Sequence, residues 1–239
     1  MNERIVDIAD RTIPSPKTEL LSGIKAELPL MIAVAPFGMI YGILAVGVGM
    51  PASSAQAMSV ILFAGSSQFV SAQLFGLGVP AAIIVTTIFV VNLRHVLYSA
   101  SIAPYLQNLP NRWKWSLAYL LTDEAYAVSI INYHEGNSTG NKHWFFLGAG
   151  LTLWGIWQLS TAIGIFLGAS IPASWSLDFT LALTFIALVV PALKDRASFG
   201  AALSAGVIAV LAFALPLKIG LLVASLTGIL VGYWIEVKS

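Results

Sequence analysis

The chain contains no cysteine, which excludes disulfides, thiolate metal sites and cysteine nucleophiles. Histidine is scarce: His95, His134 and His143 are scattered without ligand spacing, so neither a structural metal nor a cofactor is expected. Charge is scarce as well. Asp, Glu, Lys and Arg make up 10% of 239 residues, against roughly 25% in soluble domains. The net charge of +1 offers no concentrated basic face, so no nucleic-acid partner is implied. From Leu28 to Leu93 there is no Asp, Glu, Lys or Arg at all. A run of that length reads as two to three membrane-spanning segments, since about 20 apolar residues cross roughly 30 Å of hydrocarbon. The first 27 residues lack the apolar core of a signal peptide and carry Glu3, Arg4, Asp7, Asp10, Arg11, Lys17, Glu19, Lys25 and Glu27. They read as a retained, solvated cytoplasmic tail (1–27) ahead of a transmembrane transport domain (28–239).

Hydrophobic residues make up 58% of the chain, and the mean hydropathy is +0.85. The expected fold is all-α, a polytopic helical membrane protein with seven or eight transmembrane helices. Eight segments can be drawn: 28–49, 54–75, 79–98, 113–133, 144–168, 175–193, 199–215 and 217–234, with Pro216 either separating the last two or kinking one longer element. On this reading the N-terminal tail, Lys142, Lys194, Arg196 and Lys238 share one side, and Arg112, Lys114 and Lys218 lie on the other. The positive-inside rule then places both termini in the cytoplasm. Trp113, Trp115, Trp144, Trp175 and Trp234 fall at segment ends, where indoles anchor at the interface. Met50-Pro51-Ala52-Ser53 returns as Ile171-Pro172-Ala173-Ser174, and Gly47 as Gly168. That constant offset suggests two structural repeats, with chance similarity between apolar helices as the alternative.

Several polar groups lie inside these segments, where they are costly and mark a pathway or a partner. Pro36, Phe37, Gly38 and Tyr41 sit in the first, and the proline is expected to kink or break the helix. Gly65, Ser66, Ser67 and Gln68 lie at similar depth in the second, where small residues either line a cavity or permit close packing. Asn92, Arg94 and His95 close the third. Arg94 has three options: snorkelling to the headgroups, pairing with Asp123, or meeting a substrate carboxylate. Asp123 and Glu124 lie in the fourth. On a continuous helix Asp123 shares a face with Tyr119 and Tyr126 as hydrogen-bond partners, and Glu124 faces apolar residues that disfavour its charged form. The alternative is a broken helix with Thr122 as its N-cap. Asp178 opens the sixth segment, as a cap or as a vestibule group.

Taken together the motifs resemble the AzlC family, the BrnF/YgaZ-type large subunit of bacterial branched-chain amino-acid exporters. The residues that carry the resemblance are Pro36-Phe37-Gly38 with Tyr41-Gly42, Phe63-Ala64-Gly65-Ser66-Ser67-Gln68-Phe69, Asn92-Leu93-Arg94-His95, Leu121-Thr122-Asp123-Glu124 and Asp178-Phe179. The resemblance implies a secondary active exporter of leucine, isoleucine, valine and methionine, coupled to the proton gradient. It also implies a small AzlD/BrnE-type membrane subunit as partner and a place in the bacterial inner (plasma) membrane. On that view the substrate sits at Pro36, Phe37, Gly38, Tyr41, Gly65, Ser66, Ser67, Gln68 and Asn92, while Arg94, Asp123, Glu124 and Asp178 handle charge and protons. The rival readings are a passive channel or permease for another small zwitterion, and an intramembrane enzyme. The last is disfavoured because H-E-x-x-H and G-x-S-x-G are both missing.

Overall fold

A computed structural model describes residues 14–134, 140–169, 193, 195–213, 215 and 219–238. Among them every regular element is helical: α1 (Pro16–Gly47), α2 (Ala52–Ile61), α3 (Gly65–Gly76), α4 (Ala81–Val91), α5 (Arg94–Leu106), α6 (Asn111–Tyr119), α7 (Asp123–His134), α8 (Lys142–Ala169), α9 (Arg196–Leu211) and α10 (Gly220–Lys238).

The first helix begins well before Leu28. Ser15 caps it by accepting from the Thr18 backbone N–H at 3.2 Å, and Pro16 occupies the first turn, where its missing donor costs nothing. Charged residues 17–27 therefore continue the helix. Glu19, Gly23, Glu27, Met31, Val34, Gly38 and Tyr41 form one buried stripe at three- and four-residue spacing. The break expected at Pro36 is absent: α1 runs uninterrupted through both Pro29 and Pro36, and Pro36 is exposed.

Helix α8 packs along the length of α1 through glycines that let the backbones touch. A Cβ on Gly23 would strike the Phe145 carbonyl, one on Gly42 the Thr161 carbonyl, and one on Gly164 the Met39 carbonyl. Close approach of this kind is how helices associate where lipid removes the hydrophobic drive. The contacts ascend together along both helices, so α1 and α8 are parallel. Of the two proposed repeats, these are the leading helices; residues 171–174 lie outside the described residues.

Contacts with α1 and α8 fix the directions of α2, α3, α6 and α7. Tyr41 in the upper part of α1 meets both α2, donating to the Ala55 carbonyl at 2.9 Å, and α3, through the Phe69 ring at 6.1 Å. Gly76, at the far end of α3, abuts Val48. Helices α2 and α3 thus leave the Gly47 end and return to it. At the other end, Trp113 opens α6 against the rings of His143 and Trp144, at 4.7 and 5.0 Å. Tyr133, closing α7, donates to the Lys142 carbonyl at 2.7 Å. The turn between α6 and α7 lies at mid-height, where Trp154 donates to Tyr119 at 2.8 Å. Helices α6 and α7 therefore enter and leave at the Pro16 end.

The second and fourth segments are thereby corrected from spans to re-entrant hairpins. Their half-helices contain 9 to 12 residues, or about 14–18 Å each, half of a bilayer core. Three elements among the described residues are long and apolar enough to cross: α1, α8, and the α4–α5 pair taken as one span bent by 40° at Asn92-Leu93. Arg112 and Lys114 move with this correction to the same end as Lys142.

Two turns at the Gly47 end share one design. Gly49 (φ 85°) and Gly78 (φ 66°) adopt the left-handed conformation that closes α1 and α3, each followed two residues later by a proline that opens the next helix. Helices α9 and α10 form a separate antiparallel pair, with Gly228 and Gly232 against Ala201 and Gly200 against Ile235. Segments seven and eight are therefore two helices. Segment six, with Trp175, and also Lys194, Pro216 and Lys218, lie outside the described residues.

Candidate functional site

Three helix breaks meet at the centre of the molecule. The hairpin tips Leu62-Phe63-Ala64 and Leu120-Leu121-Thr122 approach from opposite ends, and the bend at Asn92-Leu93 lies between them. Each break opens a new helix whose first N–H groups lack intrahelical partners. Thr122 caps α7 by accepting from the Ala125 N–H at 3.3 Å, so the broken helix is the correct reading of this stretch. Asp123 and Glu124 then sit in the first turn of α7, where the helix dipole favours carboxylates.

Arg94 occupies the first turn of α5, where that same dipole disfavours a cation. Its guanidinium is compensated by two neighbours: Nη1 pairs with Asp123 Oδ2, and Nη2 donates to Ser66 Oγ at 2.7 Å. It does not snorkel away. One side chain thus joins the α2–α3 tip, the α5 start and the α7 start. A second tie is Ser67 Oγ donating to Asn92 Oδ1 at 2.7 Å. His95 lies beside the pair, with Nδ1 3.2 Å from the Asn92 carbonyl and its ring edge-on to Tyr98.

A cavity of about 800 Å³ opens beside this junction. Ser66, Arg94, His95, Thr122, Asp123 and Glu124 form a polar wall. Leu30, Ala33, Val34, Phe37, Phe63, Phe69, Leu153 and Trp157 supply an apolar one, and Leu193 and Ser198 complete the lining.

Of the residues proposed from sequence, Phe37, Gly65, Ser66, Arg94, Asp123 and Glu124 line the cavity. Ser67 and Gln68 are fully buried behind the α2–α3 tip. Gln68 Oε1 accepts from Trp157 Nε1 at 2.8 Å and so supports the wall. Tyr41 braces α2, and Gly38 packs against Ser160 of α8. Pro36 faces outward and is not among the lining residues. Asp178 lies outside the described residues. The tyrosines expected beside Asp123 have other partners: Tyr119 donates to the Val60 carbonyl, and Tyr126 donates to Ser101 Oγ at 2.8 Å while stacking on Tyr98.

Two features escape a reading of the sequence. Trp157 is a cavity wall, and the available signal is its mid-segment position, away from the interfacial ends where anchoring tryptophans gather. Glu27 is fully buried on α1, and its signal is the four-residue spacing that puts it in line with Gly23 and Met31.

The family model described as AzlC protein matches residues 29–171. An uncharacterized membrane protein of Archaeoglobus fulgidus is 34% identical over 217 residues, covering 89% of this chain and 93% of the relative. Inner membrane protein YgaZ of Escherichia coli is 27% identical over 232 residues, covering 92% and 94%. An uncharacterized membrane protein of Helicobacter pylori is 26% identical over 205 residues, covering 82% and 87%. No solved structure matches the chain.

Proposed function

The chain belongs to the AzlC family, and on that premise we propose that this membrane protein is the large subunit of a proton-coupled exporter of branched-chain amino acids. Its substrates are leucine, isoleucine, valine and methionine, and it works with a small AzlD/BrnE-type membrane subunit. The observation that carries this reading is a cavity with unlike walls: an ion pair and open helix N-termini on one side, aliphatic and aromatic groups on the other. At about 800 Å³ it falls within the usual range of ligand pockets.

The branched side chain packs against Val34, Phe37, Leu153 and Trp157. The substrate carboxylate is drawn to the N–H groups opening α3 and the Arg94 guanidinium. The ammonium meets Asp123 and Glu124, which also exchange the coupling proton. Each re-entrant hairpin blocks one route: α2–α3 screens the cavity from the Gly47 end and α6–α7 from the Pro16 end. Alternating access is the outward movement of one hairpin while the other stays seated. Lys17, Lys25, Arg112, Lys114 and Lys142 belong to the Pro16 end, which supports a cytoplasmic assignment for that face.

The test is efflux from cells loaded with leucine-, isoleucine-, valine- or alanine-containing dipeptides, expressing the chain with and without the small subunit. Selective release of the branched-chain amino acids when both chains are present is the expected result. Unchanged efflux, with both chains shown to reach the membrane, overturns the substrate assignment.

A further inference from the structure

Glu27 has no accessible surface, and neither of its carboxyl oxygens has a hydrogen-bond partner among the described residues. No basic group among them compensates it. Between Gly148, packed on Leu20 and Ile24, and Trp157, packed on Gly38, helix α8 offers no ionisable residue. Helix α7 contributes Glu124, which lies within electrostatic reach and is of the same sign. On α1 itself Lys25 is exposed, and Glu19 lies two turns away. An ionised carboxylate sealed in such surroundings carries a heavy desolvation penalty, which the carboxylic acid avoids.

The position is as telling as the burial. Glu27 lies on α1 one turn below the cavity-lining Leu30, toward the Pro16 end, while Glu124 lines the cavity itself. The α6–α7 hairpin, which carries Glu124, packs against this stretch of α1.

We propose that Glu27 is a proton-binding site placed between the cavity and the Pro16 face, discharged when the α6–α7 hairpin leaves α1 and reloaded before it reseats. This rests on the transport reading above and adds to it a carboxyl that the family motifs do not include. In the seated state Glu27 holds its proton. When the hairpin lifts, water reaches the carboxyl, its O–H bond breaks, and the proton passes to that water. The carboxylate left behind opposes reseating, both through desolvation and through repulsion from Glu124. The hairpin closes again only after a proton returns. A proton is favoured over a metal cation as the ligand because no group of three or more His, Asp or Glu side chains that could hold a metal gathers among the described residues, and a metal ion demands several ligands at once.

The test uses the full-length chain reconstituted in lipid vesicles with the small subunit. One arm treats the wild-type protein with dicyclohexylcarbodiimide, which attacks protonated carboxyls in apolar surroundings, and maps the adduct by mass spectrometry. A second arm compares leucine flux driven by a pH gradient with leucine exchange at equal pH on both sides. The expected results are an adduct at Glu27 and, for Glu27→Gln, a lower ratio of gradient-driven to exchange flux. Glu27→Asp, which keeps the titratable group, is expected to recover part of that ratio. An unlabelled Glu27, a wild-type ratio in Glu27→Gln, or flux that follows a sodium gradient overturns the proposal. If wild-type vesicles move no amino acid while Glu27 is still labelled, the transport reading fails and the buried protonated carboxyl stands. If Glu27→Gln does not fold, the wild-type labelling and Glu27→Asp decide.

Discussion

Arg94 and Asp123 form an ion pair whose members reach the centre from opposite ends of the molecule. Arg94 arrives on the span bent at Asn92, and Asp123 on the tip of the hairpin that enters at the Pro16 end. The pair therefore joins elements that must part if the α6–α7 hairpin is to move.

Replacing Arg94 by Lys keeps the charge and loses the simultaneous reach to Asp123 and Ser66. Export is expected to fall sharply while the protein still reaches the membrane. A cycle of Arg94→Ala, Asp123→Asn and the double variant is expected to give a coupling energy of about 1–2 kcal/mol. The size is modest because the side chains are 31% and 39% exposed. Additive shifts in detergent-solubilised melting curves count against the pairing.

The hairpin topology makes a prediction about sidedness, and the cysteine-free chain suits it well. Single cysteines at Ala52 and Leu77, at the start of α2 and just after α3, are expected to react with an impermeant maleimide from the same face. Cysteines at Asn111 and His134 are expected to react from the opposite face. Reaction of Ala52→Cys and Leu77→Cys from different faces would make α2–α3 a membrane span.

Gly164 touches the Met39 backbone, so Gly164→Leu is expected to separate α1 from α8 and to abolish monodisperse protein on size exclusion. A Cβ added at Gly155 on the same helix would meet no neighbour within 4 Å. Gly155→Ala is expected to leave stability within about 0.5 kcal/mol of wild type.

Trp157→Phe keeps an aromatic wall and removes the donor to Gln68. The buried amide of Gln68 then lacks a partner for its oxygen, at a cost of about 1–3 kcal/mol. Thermal melting should show the loss, and Gln68→Leu in the Trp157→Phe background should recover part of it. An unchanged melting curve for Trp157→Phe would show that this bond does not support the cavity wall.

Much of the site is legible in the chain itself. The charge-free run fixes the environment as a membrane, because no soluble core needs so long a stretch. Within it, polar residues cluster where helices break: Gly65 to Gln68, Asn92 to His95, and Thr122 to Glu124. Thr122 supplies a partner for a backbone N–H freed by its break, and at the other two the polar side chains tie the breaks to one another, Arg94 to Ser66 and Ser67 to Asn92. Hydropathy measures how much apolar length is present. It does not register direction, so two half-helices folded back on each other read like one span. Contacts far apart in sequence settled the direction, among them Gly76 against Val48 and Trp113 against Trp144. They also settled the partner of Arg94, which the sequence left open among lipid, substrate and Asp123. Glu27 is the clearest case of what tertiary structure alone decided. Its neighbours Lys25 and Leu28 give it the look of a boundary residue, and only the packing of α1 against α7 and α8 encloses it.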